Sequence, residues 1–302
     1  MQQPLTVFQD FLKEREVEYK ECVPFCELSY VRLGGTAALA VYPKTEAELI
    51  ATVLYAEEYG IKYKVVGRMS NVLPPDGFYG GMILKTDKIS EIDRKGNSVF
   101  VRCGRTLPSL AAFLADAHLS GLEPLSGIPA SIGGAVYMNA GAYGSEISDF
   151  IKSVRVLDKK SGSICVLNKD EIKFSYRHSD IADKGFLILS AELYFLPSSA
   201  ASIKESMSFY ARKRRQSQPI SLPSLGSVFK RCGEVSAAKL IDEAGLKGYR
   251  FGGASISEKH AGFIVNNSGA TAAEYLYLVE LAKKFVFSKY GIILKEEIEL
   301  LQ

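Results

Sequence analysis

The sequence predicts an α+β protein made of a sheet-rich region over residues 1–199 and a small α+β domain over residues 200–302. Three observations carry this: β-branched runs separated by Gly, Pro or Asp-Lys turns through the middle of the chain, helices with explicit capping signals on either side, and a small-residue stretch at 197–202 without periodic pattern. A chain of 302 residues has room for two or three lobes around separate cores.

The first marked element is a helix over 45–60, opened by the capping box of Thr45 with Glu48, carried by Leu49, Val53, Leu54 and Ala56, and stopped at Gly60. A strand at 63–66 ends on Gly67, and further strands are expected at 82–85, 98–102, 153–157, 164–167 and 186–195. One helix interrupts them at 108–118, with Leu110, Phe113 and Leu114 on one face. Beyond the linker, helices are expected at 203–215, 237–244 and 271–290, the last with its own capping box, Thr271 and Glu274. Strands at 227–230, 263–266 and 298–301 complete a small sheet.

Composition narrows the function. The net charge of +3 arises from 37 basic and 34 acidic residues mixed along the chain, which advertises no polyanion-binding surface and argues against nucleic acid as a partner. No run is long and apolar enough to span a membrane, and the start of the chain lacks the pattern of a secretory signal. Five scattered cysteines do not read as a disulfide framework, so a cytoplasmic location is expected. Cys22 and Cys26 have no second ligand pair at zinc-type spacing, and no metal is expected.

The densest chemical signal is the stretch 126–144, in which glycines recur among other small residues. Such density suits close backbone approach, either to a pyrophosphate or flat ring or to a packed neighbouring segment. A second small-residue turn, 67–73, follows a strand, where N–H groups can again meet phosphate. Neither is the GxGxxG of a Rossmann unit.

Those two stretches, together with Asp76-Gly77, 174–177, 225–230, 244–248, 260–266 and 291–298, stand in an order that resembles the UDP-N-acetylenolpyruvoylglucosamine reductases. The resemblance runs from about Tyr30 to Glu299. It implies a two-lobed FAD-binding region of the vanillyl-alcohol-oxidase (PCMH) type, with lobes at about 1–86 and 87–199, followed by a substrate-binding domain. It also implies non-covalent FAD, NADPH as electron donor, and UDP-N-acetylglucosamine enolpyruvate as substrate, in peptidoglycan synthesis. In that family, hydride passes from flavin N5 to substrate C3 and a serine protonates C2. By motif position the serine is Ser227, and the arginine and glutamate flanking the substrate carboxylate are Arg177 and Glu297.

The flavin-binding positions implied are Gly67, Arg68, Met69, Ser70 and Asn71 in the first turn, and Gly127, Ile128, Pro129, Ser131, Gly133, Gly134, Ala135, Asn139 and Gly141 in the second. Substrate contacts are expected from Arg215, Lys230, Arg231, Lys247, His260 and Asn266. The residue types suit the chemistry: a permanently charged planar guanidinium draws charge toward a carboxylate, and a positioned hydroxyl can deliver a proton.

Two departures stand out. Arg68 and Met69 follow Gly67 where most members have glycines, so Arg68 is expected to meet FAD phosphate through its side chain; Cys232 replaces a common proline and suggests a looser exit from the catalytic strand. Only 50 positions separate Arg177 from Ser227, which reads as the shorter branch lacking a tyrosine-bearing insertion. A monomer is expected. A catalytically silent flavin- or UDP-sugar-binding module, or an oxidase of the same flavin fold, remain alternatives.

Overall fold

A computed structural model describes residues 3–181 and 183–302; Met1 and Gln2 of the N-terminal sequence lie outside the described residues. The chain divides into two compact units that are not contiguous in sequence. The first holds the N-terminal segment ending at Glu21, then Leu39–Arg68 and Gly81–Arg212; the second holds Cys22–Ala38, Met69–Gly80 and Lys213–Gln302. The expected single boundary at 199/200 thus differs from the division by packing.

The first unit is organised by a five-stranded antiparallel sheet, in the order Ile164–Asn168, Ile151–Asp158, Phe186–Tyr194, Ser98–Arg102, Ile92–Lys95. Burial in Ser98–Arg102 follows the two-residue period: Val99 and Val101 are fully buried while Phe100 is exposed. Tyr63–Val66 is the edge strand of a four-stranded sheet and runs parallel to the end of Phe78–Lys85, Tyr63 opposite Met82. The helix between, Glu46–Glu58, begins as expected: Thr45 Oγ1 accepts from the Glu48 amide at 3.1 Å, and Glu48 accepts from the Lys44 amide at 2.8 Å. It buries Leu49 and Val53, each contributing roughly 1.5–3 kcal/mol. Its Glu46 carboxylate bridges Arg102 and Arg155.

In the second unit an antiparallel sheet runs Ser224–Ser227, Phe263–Asn266, Ala254–Ile256, Arg250–Phe251. The helix Ala272–Tyr290 buries Tyr275, Leu278, Val279, Ala282 and Val286 and ends on Gly291 at φ 68°. Its start is satisfied twice over. Thr271 and Glu274 form the expected capping box, and the Asp76 carboxylate accepts from the Ala272 and Ala273 amides at 2.6 and 2.8 Å. That long-range cap helps explain why Met69–Gly80 belongs to this unit. So does the parallel pairing of Val72–Leu73 with Glu299–Leu300.

Three expectations are corrected. The linker at 197–202 is largely ordered: Leu196–Pro197 pairs with Leu119–Ser120, and the following helix, Ala200–Ser217, starts inside the polar stretch, whose small residues do not oppose helix. The strand expected at 227–230 is Ser224–Ser227, because Gly226 at φ 77° and a register shift turn the chain there. Residues 228–230 pair instead with 295–297. Cys232 does not loosen the exit; its amide donates to Val235 O at 3.0 Å, a bond proline cannot make.

Candidate active site

Within the first unit, the strand Tyr63–Val66 delivers Gly67 against the start of a short helix, Ile132–Tyr137. A Cβ at Gly67 would stand 2.0 Å from Ser131 Oγ, so only glycine fits. Lys85, buried, holds the Gly67 carbonyl at 2.5 Å and pairs with Asp87 at 3.1 Å; burial lowers its pKa, and Asp87 opposes that shift. The missing glycines are accommodated by the chain itself. Arg68 is exposed, and Met69 adopts the left-handed conformation, φ 47°, with its side chain buried.

The glycine-rich stretch is only partly a ligand cradle. Ser131 caps the helix by accepting from the Gly134 amide at 3.3 Å, while the Ile132 and Gly133 amides donate to Arg105 O and Cys103 O at 2.7 and 2.8 Å. Gly133 is small because Cys103 Cβ lies 3.2 Å from where its own Cβ would be. The first amides of this helix therefore bind protein rather than an anion. Ala135 is fully buried in the core, Ile128 packs against it, and Pro129 is half-buried. Gly127 is exposed, and Gly134 has open space beyond Ser131.

Asn139 is not placed for a ligand. It is 1% exposed, at φ 46°, and its side chain donates to Glu146 Oε2 at 2.7 Å and Ser175 O at 3.0 Å while accepting from the Ser148 amide. Those bonds surround Arg177, which sits at φ 55° in the turn between Phe174–Ser175 and His178–Ser179. The guanidinium donates to Gly141 O at 2.8 Å, contacts Asn139 O and Glu146 Oε1 at 3.5 Å each, and lies over the Tyr176 ring at 4.8 Å. A Cβ on Gly141 would come 2.7 Å from Ser145 O, 2.8 Å from Glu146 Cγ and 3.0 Å from Arg177 Nη1, so this glycine lets all three close in. Glu146 escaped the sequence reading; its one local signal was the Glu146-x-x-Asp149 capping spacing realised here.

In the second unit, Ser227 and Glu297 come onto adjacent paired segments. The Glu297 amide donates to Val228 O at 2.7 Å, and Phe229 bridges Glu296. Asn71 braces the pair, its Nδ2 donating to Glu297 O at 3.0 Å and its carbonyl accepting from the Glu299 amide at 2.9 Å. Ser70 is half-buried beside it in sequence. Lys230 is half-buried on the segment that pairs with Lys295. His260 stacks edge-on against Phe263 and accepts from the Gly262 amide at Nδ1, which leaves Nε2 as the protonated nitrogen of the neutral ring. Burial pushes its pKa down.

Among the other expected substrate contacts, the side chains of Arg231, Lys247 and Asn266 are engaged elsewhere. Arg231 donates to Glu234 O at 2.6 Å within its own turn, Lys247 pairs with Asp242 at 2.9 Å, and exposed Arg215 accepts at its carbonyl from Lys259. Asn266 is buried, donates to Val31 O and Arg32 O at 3.1 and 2.9 Å, and accepts from the Ala270 amide at 3.1 Å. Its side chain ties Cys22–Ala38 to the C-terminal sheet. Asn266→Ala is expected to cost roughly 2–4 kcal/mol in urea denaturation, because it orphans acceptors and a donor together. A loss under about 1 kcal/mol would mean water replaces the amide.

Among the described residues no group of His, Cys, Asp and Glu could hold a metal, and no helix is long and apolar enough to cross a membrane. Residues 37–168 match the family model for an FAD binding domain, and residues 218–301 match that for the UDP-N-acetylenolpyruvoylglucosamine reductase C-terminal domain. The chain is 42% identical over 296 residues to the UDP-N-acetylenolpyruvoylglucosamine reductase of Caldicellulosiruptor bescii, covering 97% of this chain and 94% of that protein. It is 38% identical over 278 residues to the reductase of Geobacillus kaustophilus, covering 92% and 91%. The crystal structure of the Thermus caldophilus enzyme of the same name aligns with a TM-score of 0.80 at 34% identity, covering 95% of this chain and 99% of that one.

Proposed function

The chain belongs to the UDP-N-acetylenolpyruvoylglucosamine reductase family, and we propose that it takes reducing equivalents from NADPH and adds hydrogen across the vinyl group of UDP-N-acetylglucosamine enolpyruvate, with Arg177, Ser227 and Glu297 in the roles derived below. It is an FAD-dependent oxidoreductase of peptidoglycan biosynthesis. The single observation that carries the assignment of roles is the pairing that brings Ser227 and Glu297 onto neighbouring segments through the Glu297 amide and Val228 O.

The first unit fits FAD on its own geometry: Gly67 packs directly on Ser131 and holds the two glycine-bearing turns together, while the exposed Arg68 and Gly127 and the open space beside Gly134 leave room for a ligand. Gly67, Arg68, Ser131 and Gly134, with the exposed Gly127, would hold it, and Arg68 would meet its phosphates in charge-assisted hydrogen bonds. When bound, FAD supplies the hydride equivalent that the substrate carbon accepts. Arg177, its fork already oriented by Gly141 O, is assigned to draw developing charge toward the substrate carboxylate, and Glu297 takes the acidic role of the family motif. Ser227 donates a proton to C2, so the vinyl carbons gain one hydride and one proton and the product is the saturated ether. Lys230 and Arg215 are assigned as cations for the diphosphate, a role that suits their charge. Free cysteines support a cytoplasmic location, and a monomer suffices for these roles.

The test is direct. Purified protein is expected to be yellow, to release FAD on denaturation, to bleach anaerobically with NADPH, and to regain colour on adding one equivalent of enolpyruvyl substrate. Reoxidation by oxygen alone, with no response to that substrate, would favour an oxidase; absence of FAD binding would overturn the reading.

A further inference from the structure

We propose that Glu146 is a positioning residue for Arg177 in the substrate half of the cycle, an inference that rests on reading Arg177 as the cation beside the substrate carboxylate. Glu146 joins two segments that sequence keeps apart. Its Oε2 accepts from Asn139 Nδ2 at 2.7 Å, and its Oε1 lies 3.5 Å from Arg177 Nη1. The same Asn139 amide donates to Ser175 O at 3.0 Å, two residues before Arg177, and Asn139 O contacts the guanidinium. Glu146 is itself held, because its amide donates to Asp149 Oδ2 at 2.8 Å in a reciprocal capping box.

The result is a frame around the arginine. Gly141 O takes Nη2, Glu146 takes Nη1, and the packing is close enough that a Cβ on Gly141 would fall 2.8 Å from Glu146 Cγ. A guanidinium is a rigid planar fork, so fixing two of its nitrogens fixes the plane in which it meets a carboxylate. The Glu146 side chain is 33% exposed, and its attraction at 3.5 Å is screened by water. Direction, more than charge, is what it supplies. A glutamine cannot replace it, since one end of the amide would present N–H donors to a donor, either to Asn139 Nδ2 or to Arg177. Capping of the Ile147–Asp149 turn alone would not require the carboxylate to face an arginine from another hairpin.

The experiment compares Glu146→Gln, Glu146→Asp and Arg177→Ala by anaerobic stopped flow, with FAD content and melting temperature measured on each. For Glu146→Gln, reoxidation by enolpyruvyl substrate is expected to slow by about 10–10²-fold, the scale of an ångström-level misplacement, while bleaching by NADPH stays within about twofold. The loss is expected in the rate of the step more than in KM, with Glu146→Asp recovering part of it. Adding Glu146→Gln to Arg177→Ala is expected to cost nothing further, because the two act as one unit. Wild-type reoxidation in Glu146→Gln with a slow Arg177→Ala would overturn the positioning role, as would additive losses or a Glu146→Gln protein that no longer retains FAD. Wild-type reoxidation in Arg177→Ala would instead overturn the reading of Arg177 beneath it.

Discussion

Ser227→Ala is expected to leave anaerobic bleaching of the flavin by NADPH near the wild-type rate while slowing reoxidation by the enolpyruvyl substrate by at least ~10²-fold, the lower end for loss of a positioned general acid. The residue closes the strand Ser224–Ser227 just after Gly226 at φ 77°, opposite Phe263 and next to the segment carrying Glu297. Its neighbours Val228 and Phe229 are buried, so the backbone that presents the hydroxyl is anchored by packing and survives removal of one oxygen. Substrate affinity is expected to change little, because a proton donor acts in the transition state more than in the ground state. Equal slowing of both half-reactions would make Ser227 structural. Normal reoxidation would assign the proton to another group.

Gly67→Ala is expected to be the most damaging single change for cofactor binding. The added Cβ would stand 2.0 Å from Ser131 Oγ and 2.6 Å from Ser131 Cβ, and Ser131 is 2% exposed with no room to retreat. Either the Ser131 cap on Ile132–Tyr137 breaks or the 67–68 turn shifts away from Lys85. Overpacking of this kind costs about 1–3 kcal/mol in stability, and a displaced turn is expected to weaken FAD by more than about tenfold. Calorimetry with and without added FAD separates the two effects, since ligand stabilisation scales with occupancy. A second change to Gly67→Ala/Ser131→Gly removes both clashing atoms and is expected to recover part of the stability. Wild-type FAD affinity in the single variant would mean that the two glycine-bearing turns do not form the cradle.

The elements that were readable in the chain are those whose chemistry closes within a few residues. Thr45 with Glu48 and Thr271 with Glu274 satisfy helix amides three positions away, so spelling alone marks both helix starts. The two-residue alternation of Ser98–Arg102 and the long apolar-rich run Phe186–Tyr194 likewise need no partner to be recognised. The six-residue helix Ile132–Tyr137 was hidden because its glycines oppose helix locally, and what stabilises it is Ser131, Cys103 and Arg105 around its first turn.

By itself the sequence determined the α+β class, the order of the main elements, the family and therefore the cofactor and substrate, because ordered motifs and local capping chemistry are properties of a one-dimensional string. Only the tertiary structure decided that Asp76 caps a helix beginning at Ala272, that Asn266 holds the carbonyls of Val31 and Arg32, and that Asn139 and Glu146 serve Arg177. The physical reason is the same in each case. A buried polar group must find a partner wherever folding brings one, and no local rule records which donor and acceptor, as many as 235 positions apart, will meet.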